Sequence, residues 1–397
     1  MDYIISDRMK NMRGSAIREI FKAATDPQTI SLAGGNPAPE TFPSKELAAI
    51  AAELLEKDPV TALQYGVTEG YAPLRELLRD RLKKKECIGE DGDELIVVSG
   101  GQQGIELMTK CLVNEGDTVI VEEPSFIGAL NAFRSYGAKL VGVPMERDGM
   151  DIDALKKAIE QNKNVRLIYT IPNYQNPTGI TMSEAKRCAL RETAAQHGII
   201  IIEDNPYGEL SFDGVHVRSV KSFDRAENVV YCGSFSKILS PGMRLGYCLA
   251  PAALTEKAVI AKQISDVHTP QLTQMMAYEY LRRCDIDANT ARSCDLYAHK
   301  CRHMIDCIDK YFPEEVSHTD PRGGLFIWCD MGGGFDSLKA AAECAKDKVV
   351  FVPGNTFMTD MSAPCSAFRL NFSCMTDEKT ETGIRILGGC LDRIMHG

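Results

Sequence analysis

The sequence predicts an α/β protein: a large, seven-stranded, mainly parallel sheet covered by helices, with a smaller α+β unit made from both chain ends. Three observations predict it. Between about Glu94 and Ala250, seven short apolar runs recur: "ELIVVSG", "TVIVEE", "KLVGVPM", "RLIYTI", "GIIIIED", "NVVYCGS" and "RLGYCLA". Helix-like segments such as "QQGIELMTKCLVNEG" and "SEAKRCALRETAAQHG" separate most of them. Near-continuous apolar strands alternating with helices fit a parallel sheet buried on both faces. After Pro251 the pattern turns to long helices as far as about Phe312, then to the strand-like "GGLFIWCDM" and "FRLNFS".

In chain order, residues 1–44 are mixed and include the turn-rich "SLAGGNPAPETFP". A helical pattern begins at Ser44, where "SKEL" resembles an N-cap. A shorter segment joins the last two apolar runs, which allows that pair to be antiparallel. Between "GGLFIWCDM" and "FRLNFS", the stretch "SLKAAAECAKDKVVFVPGNTF" reads as helix then strand. The expected division is a large domain over 45–284 and a small domain from 1–44 plus 285–397. There is no internal repeat and no low-complexity linker.

The 397 residues suggest two domains or one large one, and 44% hydrophobic with 25% charged residues is ordinary for a soluble globular chain. A net charge of −10 argues against nucleic acid or anionic membrane as the main partner. The 14 cysteines are scattered, with no Cys-x-x-Cys pair, which fits free thiols in a reducing compartment. The N-terminus has no apolar core of signal-peptide length, and no apolar run is long enough to span a bilayer. A cytoplasmic location is expected.

In open parallel sheets, functional groups gather beyond the carboxyl ends of the strands. The first run ends in "SGGQQG", where Gly100, Gly101 and Gly104 permit a tight turn and the free N–H groups of a following helix suit a phosphate. The fourth run leads into "IPNYQNPTG", whose Asn176 is either a turn residue or an amide donor to a ligand oxygen. The fifth ends in "EDNPYGEL"; Asp204 follows four isoleucines and Glu203, and a buried carboxylate needs a partner. Tyr207 is three residues on. Between the sixth and seventh runs lies "SFSKILSPGMRLGY". Burial and nearby cations make a lysine less basic and more nucleophilic, so Lys237 is suited to bond an aldehyde. Ser234, Ser236 and Arg244 are suited to a phosphate dianion. A lysine, a carboxylate, an amide, a phenol and two phosphate loops are together what pyridoxal 5′-phosphate requires.

These motifs, with "RLNFS", resemble the fold-type I, class I/II aminotransferases, most closely the subgroup containing 2-aminoadipate and kynurenine aminotransferases. The likeness runs from "SLAGGNPAPETFP" through "LQYGVTEG" and "SGGQQG" to "FVPGNTF". It implies the fold of that pyridoxal-phosphate-dependent transferase class and a ping-pong exchange of an amino group between an L-amino acid and a 2-oxo acid, with 2-oxoglutarate and glutamate as one pair. Lys237 is then the Schiff-base lysine that later moves the proton at Cα. Asp204 pairs with the pyridinium nitrogen, and Asn176 and Tyr207 bond the phenolic oxygen. Phe126 stacks on the ring. Gly101, Gln102 (by backbone or amide), Ser234, Ser236 and Arg244 bind the phosphate, and Tyr65 reaches the phosphate of a second subunit in a homodimer. Arg369 grips the substrate α-carboxylate. Gly35 and Arg18 lie near the substrate, in a mobile N-terminal segment. Two positions depart from the usual pattern: Gly101 stands where a hydroxyl residue is common, and Phe126 where tyrosine is.

Alternative readings stay open at this stage. The same cofactor residues serve a lyase, racemase or decarboxylase, because the outcome depends on which Cα bond stands perpendicular to the ring. A non-catalytic sensor on the same fold is the remote alternative. His299 and His303 in "HKCRH" read as a solvated helix face rather than a metal site, Trp328 as a strand packing residue, and Cys232 and Cys248 as core thiols.

Overall fold

The apolar runs form strands whose alternate side chains feed two separate cores. The computed structural model describes residues 3–10, 28–89, 92–225 and 227–397. In chain order the strands are β1 (Ile30–Ser31), β2 (Asp93–Val98), β3 (Thr118–Glu123), β4 (Lys139–Glu146), β5 (Gly149–Met150), β6 (Val165–Thr170) and β7 (Ile200–Asn205). They continue with β8 (Val229–Ser234), β9 (Gly246–Pro251), β10 (Ser317–His318), β11 (Phe326–Asp330), β12 (Val349–Val350), β13 (Val352–Pro353) and β14 (Ala367–Asn371). Val119, Leu167, Ile202 and Val230 face one core. Ile120, Ile168, Ile201 and Val229 face the other. This period of two, apolar on both sides, is why the runs read as nearly continuous.

The large sheet has the order β2-β9-β8-β7-β6-β3-β4-β5. The pairs β3–β4, β3–β6, β6–β7 and β7–β8 are parallel. The last two runs are antiparallel, as their short connection allowed: β9 runs against both β8 and β2. The seven expected strands are present, and the sheet gains an eighth, the two-residue β5, folded back on β4 through Met145↔Met150 and Glu146↔Gly149. Two residues are too few to leave a periodic signal.

Helices alternate with these strands. Gly101–Leu112 starts directly after β2, and Gly100 (φ 84°) makes the turn. Asp151 and Ser183 cap the helices Ile152–Gln161 and Glu184–Gln196 by accepting from backbone N–H groups. The expected cap at Ser44 is displaced by one position: the helix Ser44–Lys57 begins at that serine, Pro43 occupies the N-cap, and no side chain caps it.

The second sheet, β10-β11-β14-β13, is antiparallel. β1, near the N-terminus, pairs in parallel with β12, so the two ends of the chain meet. The helices Ile286–Tyr311, Ser337–Lys346 and Asp377–His396 complete this part. Among the described residues, no helix is long and apolar enough to cross a membrane.

Candidate active site

The parallel strands deliver their loops to one edge of the sheet, and there the chain encloses a cavity of about 320 Å3. Asp204 comes from the end of β7, Ser234 from the end of β8, Phe126 from the loop after β3 and Asn176 from the loop after β6. Gly101 and Gln102 open the helix after β2, and Ser236, Lys237 and Arg244 occupy the β8–β9 connection. Gly35 arrives from the N-terminal segment and Arg369 from β14 of the second sheet, with Tyr207 beside them. Twelve of the residues singled out in the sequence therefore line one cavity. Tyr65 does not: it is 80% exposed and stands edge-on to His268. Arg18 lies outside the described residues.

Lys237 is partly buried, and its Nζ donates to the Gly35 carbonyl at 2.7 Å. Burial, then the neighbouring Arg369 and Arg244 charges, push its pKa down to about 8. A lysine held this way offers a free amine at far lower pH than one in water.

Asp204 accepts a hydrogen bond from Tyr169 Oη at 2.7 Å. Burial pushes its pKa up to about 6, and the Tyr169 hydroxyl is the one group that opposes this. Among the described residues the sheet thus presents a buried carboxylate with no cation paired to it, which suits a protonated ring nitrogen. Tyr169 was not legible as a site residue, because "RLIYTI" reads only as a strand. It reaches Asp204 because β6 and β7 are neighbours in the sheet.

Arg369 lies between two rings, with its guanidinium carbon 4.2 Å from the centroid of Phe326 and 5.1 Å from that of Phe357. Nη1 donates to Asn176 Oδ1 at 2.8 Å and Nη2 to the Ala33 carbonyl at 2.7 Å. Its Nε is buried without a partner, and burial lowers its pKa to about 10. With Asn176 Oδ1 so engaged, its amide nitrogen remains to donate, and it bonds the Tyr207 hydroxyl, whose pKa burial raises. Phe326 and Phe357 were also missed. Trp328, expected as a strand packing residue, stands edge-on to Phe357 with ring centroids 5.8 Å apart.

The phosphate-like end is built from close approaches. A Cβ on Gly100 would lie 2.5 Å from Arg244 Nη2, so only glycine lets the guanidinium cross this turn, where it donates to the Ser99 carbonyl at 3.2 Å. Ser234 Oγ accepts from the Ser236 N–H at 3.2 Å and donates to Ser236 Oγ at 3.0 Å. The Gln102 side-chain amide donates to Gly128 O at 2.9 Å. Its backbone N–H and that of Gly101, in the first helical turn, have no intrahelical acceptor.

Behind the Asn176 turn lies Glu122, fully buried, with its pKa raised to about 7 by burial. It accepts from Thr170 Oγ1 at 2.5 Å, the Ile171 N–H at 3.1 Å and Gln175 Nε2 at 3.1 Å. Gln175 Oε1 in turn accepts from the N–H and hydroxyl of Thr178. This network shapes the loop that presents Asn176. Elsewhere, His299 bonds Asp377 Oδ2 and His303 bonds the Asp377 carbonyl, both on an exposed helix face. Cys232 and Cys248 lie in the core.

Pyridoxal 5′-phosphate fits these features: a partly desolvated amine for its aldehyde, an unbalanced buried carboxylate for its ring nitrogen, an amide and a phenol for its phenolic oxygen, and helix N–H groups with Ser234, Ser236 and Arg244 for its phosphate.

Comparison with known proteins agrees with this geometry. The family model "Aminotransferase class I and II" matches residues 27–387. The aromatic-amino-acid aminotransferase 1 of Thermococcus litoralis is 36% identical over 393 residues, covering 98% of this chain and 94% of the relative. The structure of the Pyrococcus horikoshii kynurenine aminotransferase in complex with PMP superposes with a TM-score of 0.95 at 35% identity, covering 99% of this chain and 98% of that one. The alpha-aminoadipate aminotransferase of Thermus thermophilus, complexed with N-(5′-phosphopyridoxyl)-L-leucine, gives 0.90 at 34% identity, with 98% of both chains covered. The partly buried lysine, the buried carboxylate of the same cavity and these full-length matches lead to one conclusion: the chain belongs to the class I and II aminotransferases and is a pyridoxal-phosphate-dependent aminotransferase.

Proposed function

We propose that this single cavity serves both halves of a ping-pong exchange, with glutamate and 2-oxoglutarate as one amino-group pair and an aromatic L-amino acid as the other donor. The observation that carries this reading is the convergence of three cations, Lys237, Arg244 and Arg369, on a cavity whose one acid among the described lining residues is Asp204. Such a site favours a ligand with a phosphate and a substrate carboxylate. Phe126, Ile127 and Phe326 line the remainder, which supports an aromatic side chain, a class also named for the Thermococcus litoralis relative.

When bound, the cofactor supplies an aldehyde that takes up the amino group and a ring that accepts the electrons left at the substrate Cα. Asp204 would hold the ring nitrogen protonated, and Asn176 and Tyr207 would orient the ring through its phenolic oxygen. Phe126 would cover one ring face. Ser234, Ser236, Arg244 and the N–H groups of Gly101 and Gln102 would anchor the phosphate. Arg369, against the rings of Phe326 and Phe357, would grip the α-carboxylate. Lys237 would bind the aldehyde at rest and afterwards carry the Cα proton, a task its lowered pKa suits.

The working form in this reading is a cytoplasmic homodimer. Val60 (74% exposed), Leu63 (70%), Tyr65 (80%) and Ile264 (72%) are exposed apolar side chains suited to covering by a second copy, whose cofactor phosphate Tyr65 would reach. Mixing Tyr65→Phe and Lys237→Ala subunits should then restore part of the activity through the one intact site of the hybrid. No recovery, with subunit exchange verified, excludes a shared site.

The test of the reaction is an absorbance spectrum of the holoenzyme before and after single amino acids. Conversion to the pyridoxamine form with release of a 2-oxo acid, fastest with aromatic donors and reversed by 2-oxoglutarate, supports the proposal. Elimination, racemisation or decarboxylation without that conversion would instead assign a lyase, racemase or decarboxylase.

A further inference from the structure

Two cysteines outside the cavity lining lie closer together than unbonded sulfurs rest. Cys344, on the helix Ser337–Lys346, and Cys390, on the C-terminal helix Asp377–His396, have their Sγ atoms 2.8 Å apart. Even two carbons rest at about 3.5–4.0 Å, and sulfur is larger. A disulfide bond is ~2.05 Å long, so closing the pair needs an approach of only about 0.8 Å.

The two helices are also in register. One turn beyond each cysteine, Arg393 pairs with Asp347. Cys344 and Asp347 thus face Cys390 and Arg393, and the ion pair holds the helices where the sulfurs meet. We propose that Cys344 and Cys390 form an intramolecular disulfide when the protein meets a peroxide, making this helix pair a redox modification site of the small sheet's outer layer.

The chemistry is asymmetric. Cys344 Sγ donates to Cys390 Sγ, and that hydrogen bond, with the Arg393 charge, holds the Cys390 thiol below its ordinary range. Cys390 is therefore the nucleophile. Its thiolate attacks one peroxide oxygen, the O–O bond breaks, and hydroxide leaves, giving a sulfenic acid on Cys390. The Cys344 sulfur then attacks that sulfur and the S–O bond breaks. The Cys344 proton and the departing oxygen leave as water. The sum is two thiols and one hydrogen peroxide to one disulfide and two waters. Both thiols are buried, but hydrogen peroxide is small, and Cys390 lies within the last two turns of the terminal helix, where helices open most readily.

A second close pair sets the contrast. Cys232 and Cys248 face each other across β8 and β9 with sulfurs 3.4 Å apart. They sit in the core of the large sheet, and the hydrogen bond with Cys248, then burial, pushes the Cys232 thiol well up. This pair should stay reduced.

The consequence is mechanical. Ser337, at the start of the first helix, bonds Asn355 Oδ1 at 3.2 Å and accepts from the Gly354 N–H at 3.1 Å. It thereby braces the turn that carries Phe357. A crosslink between Cys344 and Cys390 would tie that brace to the C-terminal helix and constrain the unfolded chain.

The test uses the holoenzyme treated with a small excess of hydrogen peroxide, then digested without reductant and analysed by mass spectrometry. The expected result is one linked peptide pair containing Cys344 and Cys390, lighter than the two thiols by two hydrogens and reversed by dithiothreitol. The melting midpoint should rise by roughly 2–6 °C, and this rise should vanish in Cys344→Ser and Cys390→Ser. Alkylation of both cysteines as free thiols while the exposed Cys87 is oxidised would overturn the proposal. So would a Cys390 sulfinic acid without a link, or earlier linkage of Cys232 to Cys248. The peptide result on the unaltered protein stands even where a variant fails to fold.

Discussion

Arg369 Nη1 donates to Asn176 Oδ1 at 2.8 Å, joining the arginine of the second sheet to the loop that follows β6 of the first. The bond is buried, and it sets the guanidinium proposed to bind the substrate carboxylate against the amide proposed to hold the cofactor. A lysine at position 369 would keep the charge but lose the planar fork and its fit between Phe326 and Phe357. Arg369→Lys should lower kcat/KM by roughly 10²-fold for both the amino acid and the oxo acid. The resting holoenzyme spectrum should not change. Steady-state kinetics with both substrates, beside that spectrum, checks this; an unchanged kcat/KM would remove Arg369 from substrate binding.

Tyr169 should matter to cofactor retention although it does not line the cavity. Its hydroxyl is the one group that favours ionised Asp204 before a cation arrives. Tyr169→Phe should weaken pyridoxal-phosphate binding about 10-fold, as expected for losing one hydrogen bond to a charged group. Equilibrium titration of the cofactor-free protein measures it. A loss confined to thermal stability, with the same dissociation constant, would make Tyr169 merely structural.

Lys237 should display its lowered pKa in the rate of cofactor uptake. Only the free amine attacks the aldehyde, and the free fraction grows as pH rises through the pKa. Uptake by the cofactor-free protein should therefore climb with pH, pass its midpoint near the value of about 8 and then level off. A rate still climbing steeply above pH ~10 would mean an unperturbed lysine.

Glu86 should make the fold less stable in alkali. Burial, then Glu203 and Glu209, push its pKa up to about 8, with Arg187 and Lys85 opposing. The native state holds this proton after the unfolded chain has lost it, so stability falls as pH rises from the unfolded value of about 4.3 to the folded one. Glu86→Gln should leave the melting midpoint unchanged near pH ~4.5 and raise it by roughly 2–5 °C near pH ~8.5. Parallel melting curves of the two proteins across that window would refute the assignment.

What the sequence by itself determined was local. Seven apolar runs became strands, and most read as nearly continuous because a strand buried on both faces is apolar at nearly every position, as at Ile200–Ile202 in "GIIIIED". Glycine at 100 and the residues around Lys237 were legible because turns with few allowed backbone shapes, and a lysine among small and apolar neighbours, are unusual in one sequence. Parallel strands then force such loops to a common edge. The two-residue β5 and the cap of the helix Ser44–Lys57 were not legible, because both depend on one or two residues whose propensities leave several outcomes open.

Only the tertiary structure decided which distant groups meet. Tyr169 finds Asp204 through the strand order, Phe326 and Phe357 close on Arg369 through the second sheet, and Cys344 meets Cys390 through the packing of two helices. None of these contacts leaves a mark on its neighbours in sequence. Tyr169, Phe326, Phe357, Cys344 and Cys390 each look ordinary in sequence, and the contact exists only after burial has fixed the register between elements.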